Sequence, residues 1–166
     1  MSQGIEVRPI QMTEADRAGL VLRSAYRQFY PPGTDGDYID HVSQVDRRIG
    51  EATVLVGLLD DQLVGCVSLV LDESSDLAES LRPGEAGIRM LGVTPEVHGH
   101  GVGGALVDEC LAIAGAHRKT AVVLHTDTRM YAAQHLYERR GFTRMPERDF
   151  SSPQVDLLCY RLEFAS

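Results

Sequence analysis

Glycines at positions 99, 101, 103 and 104 crowd the stretch His98-Gly99-His100-Gly101-Val102-Gly103-Gly104, which follows a run of strand-forming residues and opens a helical one. Glycine lacks a Cβ, so backbone N–H groups there can approach an anion closely. A helix N-terminus adds unpaired donors and the positive end of its dipole. The chemistry this predicts is a phosphate cradle. A P-loop would need Lys and then Ser or Thr after the last glycine, where this chain has Ala105-Leu106. The spacing of Gly99, Gly101 and Gly104 fits a dinucleotide fingerprint, but that motif wants an acidic residue about 20 positions on, at the end of the next strand. The run Lys119 to His125 offers none. The pair His98 and His100 has no cysteine or carboxylate at ligand spacing, so no metal is expected.

The stretch Val93-x-Pro95 followed by His98-Gly99-His100-Gly101-Val102-Gly103 resembles the acetyl-CoA-binding motif of the GNAT acyltransferase superfamily, Gln/Arg-x-x-Gly-x-Gly/Ala. Ala133-x-x-Leu136-Tyr137-Glu138-Arg139-Arg140-Gly141-Phe142 is similar to that family's second signature, a helix ending in Tyr-x-x-x-Gly-Phe. The two motifs together occupy residues 88–143. The resemblance implies that Leu91 and Val93, with Gly92 between them, lie on a splayed strand that pairs with the pantetheine arm. It implies that His98, Gly99, His100, Gly101, Val102, Gly103 and Gly104 surround the pyrophosphate. Tyr137 would be the acid that protonates the departing thiolate, since a phenol stays protonated at neutral pH.

Departures from the family pattern carry expectations of their own. His98 stands where Gln or Arg is usual, and His100 where Arg or Lys is frequent. Backbone donors are therefore expected to hold the pyrophosphate, with affinity weakening as pH rises. Met130 replaces a frequent Asn and is expected to pack. Gly87 occupies the position where many relatives carry a glutamate base, which leaves nearby Glu85 as the candidate base. The Val93 N–H is the expected donor to the thioester carbonyl. Phe29, Tyr30 and Tyr38 cluster with Tyr26, Pro31, Pro32 and the acids Asp35, Asp37 and Asp40, a combination suited to an amine-bearing substrate. No Cys or Ser sits in a triad-like setting.

The function these implications define is an acetyl-CoA-dependent N-acetyltransferase acting on a primary amine of a small molecule or peptide, by direct attack in a ternary complex. The alternative is a CoA-binding sensor or structural module on the same fold, which Gly87 and Met130 would suit.

Elements must position these residues, and the patterning supplies them. Ile5 to Ile10 alternates as a strand confined to an edge by Pro9. Thr13 can cap a helix that ends at Phe29-Tyr30-Pro31-Pro32-Gly33, and a weaker helical segment runs from Asp37 to Ile49. Thr53 to Leu59 and Leu63 to Leu71 read as a hairpin about Asp60-Asp61-Gln62. Asp72 to Gly84 reads as a solvated acidic loop. A strand from Ile88 to Val93, a helix from Gly101 to Ala116, a strand from Ala121 to His125 and a helix ending at Arg139-Arg140-Gly141 follow. Phe142 to Met145 and Val155 to Leu162 would close the sheet, with edges available for a homodimer. The fold class is α/β (α+β mixed): a GNAT-like acyl-CoA N-acyltransferase fold with a mixed sheet of about seven strands and about four helices.

Composition bounds the partners. The chain has 166 residues with 24 acidic against 16 basic side chains, a net charge of −8. Residues 1–166 are read as a single domain. The acidic balance excludes a nucleic-acid surface, which needs clustered cations. No apolar run reaches the roughly 20 residues that span a bilayer, and the first residues lack a basic-then-apolar leader, so a cytoplasmic protein is expected. Cys66, Cys110 and Cys159 are widely spaced within apolar runs and read as small buried hydrophobes.

Overall fold

The computed structural model describes residues 4–31, 36–153 and 155–165, with backbone alone for residues 36 and 37. Pro32, Gly33 and Asp35 lie outside the described residues, as does the side chain of Asp37. The strands are β1 (Ile5–Pro9), β2 (Thr53–Leu59), β3 (Gln62–Val70), β4 (Glu85–Val93), β5 (Ala121–Asp127), β6 (Thr143–Arg144), β7 (Phe150–Ser151) and β8 (Asp156–Glu163). The helices are α1 (Ala15–Arg27), α2 (Gly36–Ser43), α3 (Val102–Ala116) and α4 (Tyr131–Arg139). All the strands join one 8-stranded sheet in the order β1-β2-β3-β4-β5-β8-β6, with β7 also on β8. Every pairing is antiparallel except β4 with β5.

Strand alternation divides the core into two layers. Leu55, Val67, Leu69, Ile88, Val122 and Leu124 pack under α3 with Val102, Leu106 and Cys110. Val54, Val56 and Cys66 point the other way and pack under α1 and α2, against Leu22, Ala25, Ile39 and Val42. The three cysteines are buried and free. Asp60 and Asp61 take left-handed φ values of 48° and 66°, which joins β2 to β3 by the two-residue hairpin turn that their sequence predicts. The first helix begins differently from expectation. A 3-10 turn at Met12–Glu14 precedes α1, and Glu14, not Thr13, does the capping by accepting the Gln11 N–H at 2.9 Å.

The sheet is split in its middle. β4 and β5 pair from Glu85↔Ala121 to Ile88↔Leu124, and no pair follows. Just beyond that point Met90 adopts a φ of 53°, and the β3–β4 register slips between Ser68↔Arg89 and Cys66↔Gly92. The extra residue is a β-bulge, which bends β4 away from β5. From Arg89 onward β4 therefore keeps β3 as its only strand neighbour, while β5 runs on beside β8 to Asp127↔Leu157. The closing strands pair as expected, β6 on β8. β8 lies between β5 and the two-residue strands β6 and β7, which pair with it at Tyr160 and Arg161 and at Asp156 and Leu157.

Candidate active site

The gap left by the diverging strands opens into a cleft of about 550 Å³. Ile88 to Leu91 of β4 form one side and Leu124 to Asp127 of β5 the other, with Met130, Ala133 and Tyr137 from the α4 region at its base. Tyr26, Tyr30 and Tyr38 come from the α1–α2 side. Asp76, Leu77, Glu79 and Ser80 face them from the loop before β4, joined by Arg148, Asp149 and Phe150. The segment Asp72 to Gly84 thus contributes a wall of the cleft, where a solvated loop was expected.

The glycine turn sits beyond the open end of β4. Gly99 and Gly101 have φ values of 85° and 93°, a region that side chains with a Cβ rarely adopt, and Gly101 caps α3 in that conformation. No atom lies within 4 Å of where a Cβ on Gly99 would stand, so the turn is open to a ligand. His98 and His100 are exposed, but their backbone N–H groups are turned inward onto the carbonyls of Pro95 and Val97 at 3.2 and 3.3 Å. The donors at the cradle are therefore those of Gly99 and of the first turn of α3, from Val102 through Gly104. Val102 itself buries its side chain in the core. A cation also reaches the turn: a Cβ on Gly104 would collide with the guanidinium of Arg140, which extends from the end of α4 and pairs with Asp108 at 2.8 Å. Sequence reading missed Arg140, because the contact spans α3 and α4.

Tyr137 is 4% exposed, with its ring against Phe142 and Tyr160 at centroid distances of 5.7 and 6.1 Å. Among the described residues none hydrogen-bonds its hydroxyl, and burial pushes its pKa well above the ordinary phenol value. Leu91 lines the cleft, whereas Val93 and Gly92 lie farther along β4, where Gly92 faces Leu22 and Ala25 of α1. Met130 packs against the α1–α2 layer as expected, with its sulfur 3.9 Å from Thr126 Oγ1.

Glu85 does not suit the role of base. It lies at the closed end of β4 and is 2% exposed, and the residues that line the cleft do not include it. Arg148 donates to both its oxygens at 2.8 Å, Arg161 to one at 2.9 Å, and the Arg82 N–H to the other at 2.9 Å. Burial alone would raise its pKa, but these donors outweigh burial and hold it at about 2. A carboxylate so engaged has no lone pair to offer an ammonium.

Other groups of the cleft have the chemistry that Glu85 lacks. His125 lines it, and its Nε2 lies 2.9 Å from the Arg148 carbonyl, an acceptor, so Nε2 carries the proton and Nδ1 the lone pair. Burial lowers the His125 pKa, with Arg89 and Arg148 adding to the effect against the bond to Arg148 and the charge of Asp149. Asp127 accepts the Tyr30 hydroxyl at 2.6 Å and the Arg129 guanidinium at 2.9 Å, and Arg129 stacks over the Tyr30 ring and donates to the Phe29 carbonyl. This network fastens the end of α1 to the end of β5. Tyr30 and Tyr38, whose centroids are 4.8 Å apart, line the cleft. Phe29 does not: its side chain packs against the α1–α2 layer. Asp40 is likewise outside the cleft, exposed and paired with Arg23 at 2.8 Å.

The family model described as acetyltransferase (GNAT) family matches residues 20–142. This chain belongs to the GNAT acetyltransferase family. Its sheet, split between two parallel strands and followed by a glycine turn and helix, is the GNAT fold. An N-acetyltransferase from Thermoplasma acidophilum in complex with coenzyme A is 15% identical, with a TM-score of 0.73 over 97% of this chain and 99% of that one. A GNAT-family acetyltransferase from Staphylococcus aureus is 14% identical, with a TM-score of 0.75 over 96% and 99%. A GNAT acetyltransferase from Brucella melitensis in complex with acetyl-CoA is 23% identical, with a TM-score of 0.62 over 98% and 90%. A comparison with curated proteins finds no match. Of the cleft groups in this GNAT domain, Arg89, His125 and Arg148 carried no motif in the sequence. Arg89 and His125 lie on the diverging strands β4 and β5, and Arg148 in the turn Pro146–Arg148 before β7.

Proposed function

We propose that this GNAT domain is an acetyl-CoA-dependent N-acetyltransferase that acetylates a primary amine by direct attack, with both reactants held in the cleft. The observation that carries the reading is a free β4 edge and a buried tyrosine on one cleft, with an open glycine turn at a helix N-terminus following that same strand. The donors of Gly99 and the first turn of α3, with Arg140 beside them, fit a pyrophosphate, and the unpaired edge of β4 from Arg89 to Val93 fits an extended amide-bearing arm. Acetyl-CoA bound there supplies a thioester, the acyl donor.

The chain's own groups supply the rest. The Val93 N–H is assigned to the thioester carbonyl oxygen as an oxyanion donor. His125, neutral with its lone pair on Nδ1, takes the proton that an ammonium must lose before it can attack. Tyr137, held protonated by burial, donates to the sulfur as it departs. Side-by-side binding removes much of the orientational barrier.

The test is thiol release with acetyl-CoA and a panel of amines, together with calorimetric CoA binding. Turnover on at least one amine is expected, with Tyr137→Phe lowering kcat about 100-fold while CoA affinity is kept. Tight CoA binding without turnover on any amine would instead favour a sensor. An unchanged kcat in Tyr137→Phe would remove the acid assignment.

A further inference from the structure

Arg89 is the cleft-lining guanidinium that no carboxylate pairs with among the described residues. Arg148, the other one, is claimed by Glu85. The Nη1 of Arg89 donates to the Ile88 carbonyl at 3.3 Å and its Nη2 to the Glu79 carbonyl at 3.0 Å. These two bonds use two of the five N–H donors of the fork among the described residues. Burial pushes the Arg89 pKa down, and Arg148 adds to that. The Cys159 thiol and the Glu79 carboxylate act the other way. Arg89 is half-buried, and a guanidinium without a carboxylate partner at the wall of a cleft is placed to pair with an anionic ligand.

The local packing is arranged around this side chain. A Cβ on Gly87 would stand 3.0 Å from Arg89 Nη1 and 3.1 Å from Cζ, so the guanidinium lies over the face of Gly87. Gly87 is the position where the family pattern often carries a glutamate. In this chain a cation covers the place from which a carboxylate would project. The guanidinium thus stands level with Gly87, and the free edge of β4 begins two residues on, at Arg89, ahead of the Met90 bulge. At about 3.3 Å per residue, the backbone separation is roughly 7 Å. One small molecule can therefore meet Arg89 with one end and the free edge of β4 with the other.

We propose that Arg89 is a recognition site for a carboxylate carried by the acceptor itself, so that the acceptor is a small amino-acid-like molecule with its amine at the free edge of β4. The inference rests on the acetyl-transfer reading for the fate of the amine, but the anion site can be read by binding alone. A planar guanidinium receives a carboxylate through two parallel hydrogen bonds, which a lysine cannot reproduce. The tyrosines 26, 30 and 38 on the opposite wall then meet the remainder of the molecule.

The test uses the proteinogenic amino acids, each paired with the amine left when its carboxylate is removed. Each is titrated calorimetrically into the full chain saturated with CoA, and each is assayed for thiol release with acetyl-CoA. At least one amino acid should bind about 10- to 100-fold more tightly than its decarboxylated twin and show a KM lower by a similar factor. Arg89→Gln and Arg89→Lys should abolish that difference while CoA affinity stays within about twofold. Gly87→Glu keeps Arg89 but gives it an internal carboxylate, and it should abolish the difference as well. If no amino acid is preferred over its twin, or if Arg89→Gln keeps the preference, the proposal is overturned. Carboxylate binding that depends on Arg89 but occurs without any thiol release would uphold the site and overturn the acetyl-transfer reading.

Discussion

Glu85 makes a sharp test of what burial and charge do to one residue. Its folded pKa of about 2 lies below the ordinary carboxylate value of about 4.3, so its ion pairs contribute stability that is complete above pH 5 and is lost as the pH falls toward 2. Glu85→Gln is expected to lose about 3 kcal/mol in urea unfolding at pH 7 and to flatten the acid side of the stability curve. Turnover per folded molecule should stay within about threefold of the parent. A hundredfold loss of turnover at unchanged stability would return Glu85 to the role of base. The pKa of His125 is lowered, so the lone pair is available at neutral pH, and kcat/KM should fall as the pH drops through that lowered value. His125→Gln should lower kcat/KM and remove that limb from the pH profile.

At the scale of elements, the bulge opens the cleft, and the glycine turn beyond β4 sets the start of α3. Gly101 holds the N-terminus of α3 in a left-handed conformation, so Gly101→Ala is expected to cost about 1–2 kcal/mol of stability and to weaken CoA binding about tenfold, read by denaturation and calorimetry. The glycine turn, the Asp60-Asp61 hairpin and the Gly141 helix stop were legible in the sequence because each rests on local backbone preference. The bulge was not. Met90 is no turn former, and its φ of 53° is imposed by the pairing of β3 with β4. Glu85 misled for the same reason: its nearness to Gly87 in sequence was visible, but the arginines that neutralise it come from residues 148 and 161. Arg140 over Gly104 and Arg89 over Gly87 are likewise products of packing, invisible to spacing.

For the whole molecule, the net charge of −8 posed a difficulty for a polyanionic cofactor, and the fold answers it by placement. Arg140 brings positive charge to the glycine turn from another helix, although Asp108 shares it. No helix among the described residues is long and apolar enough to cross a membrane. The sheet consists of two half-sheets, β1 to β4 and β5 to β8, sewn together by the short β4–β5 ladder from residues 85 to 88 and by side chains packed across it. Glu85 stands at the closed end of that seam, where Arg161 of β8 and Arg148 beside β7 grip a residue of β4. In mechanical terms it is a hinge pin: the wedge can breathe at its mouth only while its apex is bolted. Amides of Ala86 to Ile88 and Val122 to Leu124 should therefore exchange hydrogen faster in Glu85→Gln than in the parent, while those of the β2–β3 hairpin change less. Equal acceleration in both places would mean that the pin stabilises the molecule without governing the seam.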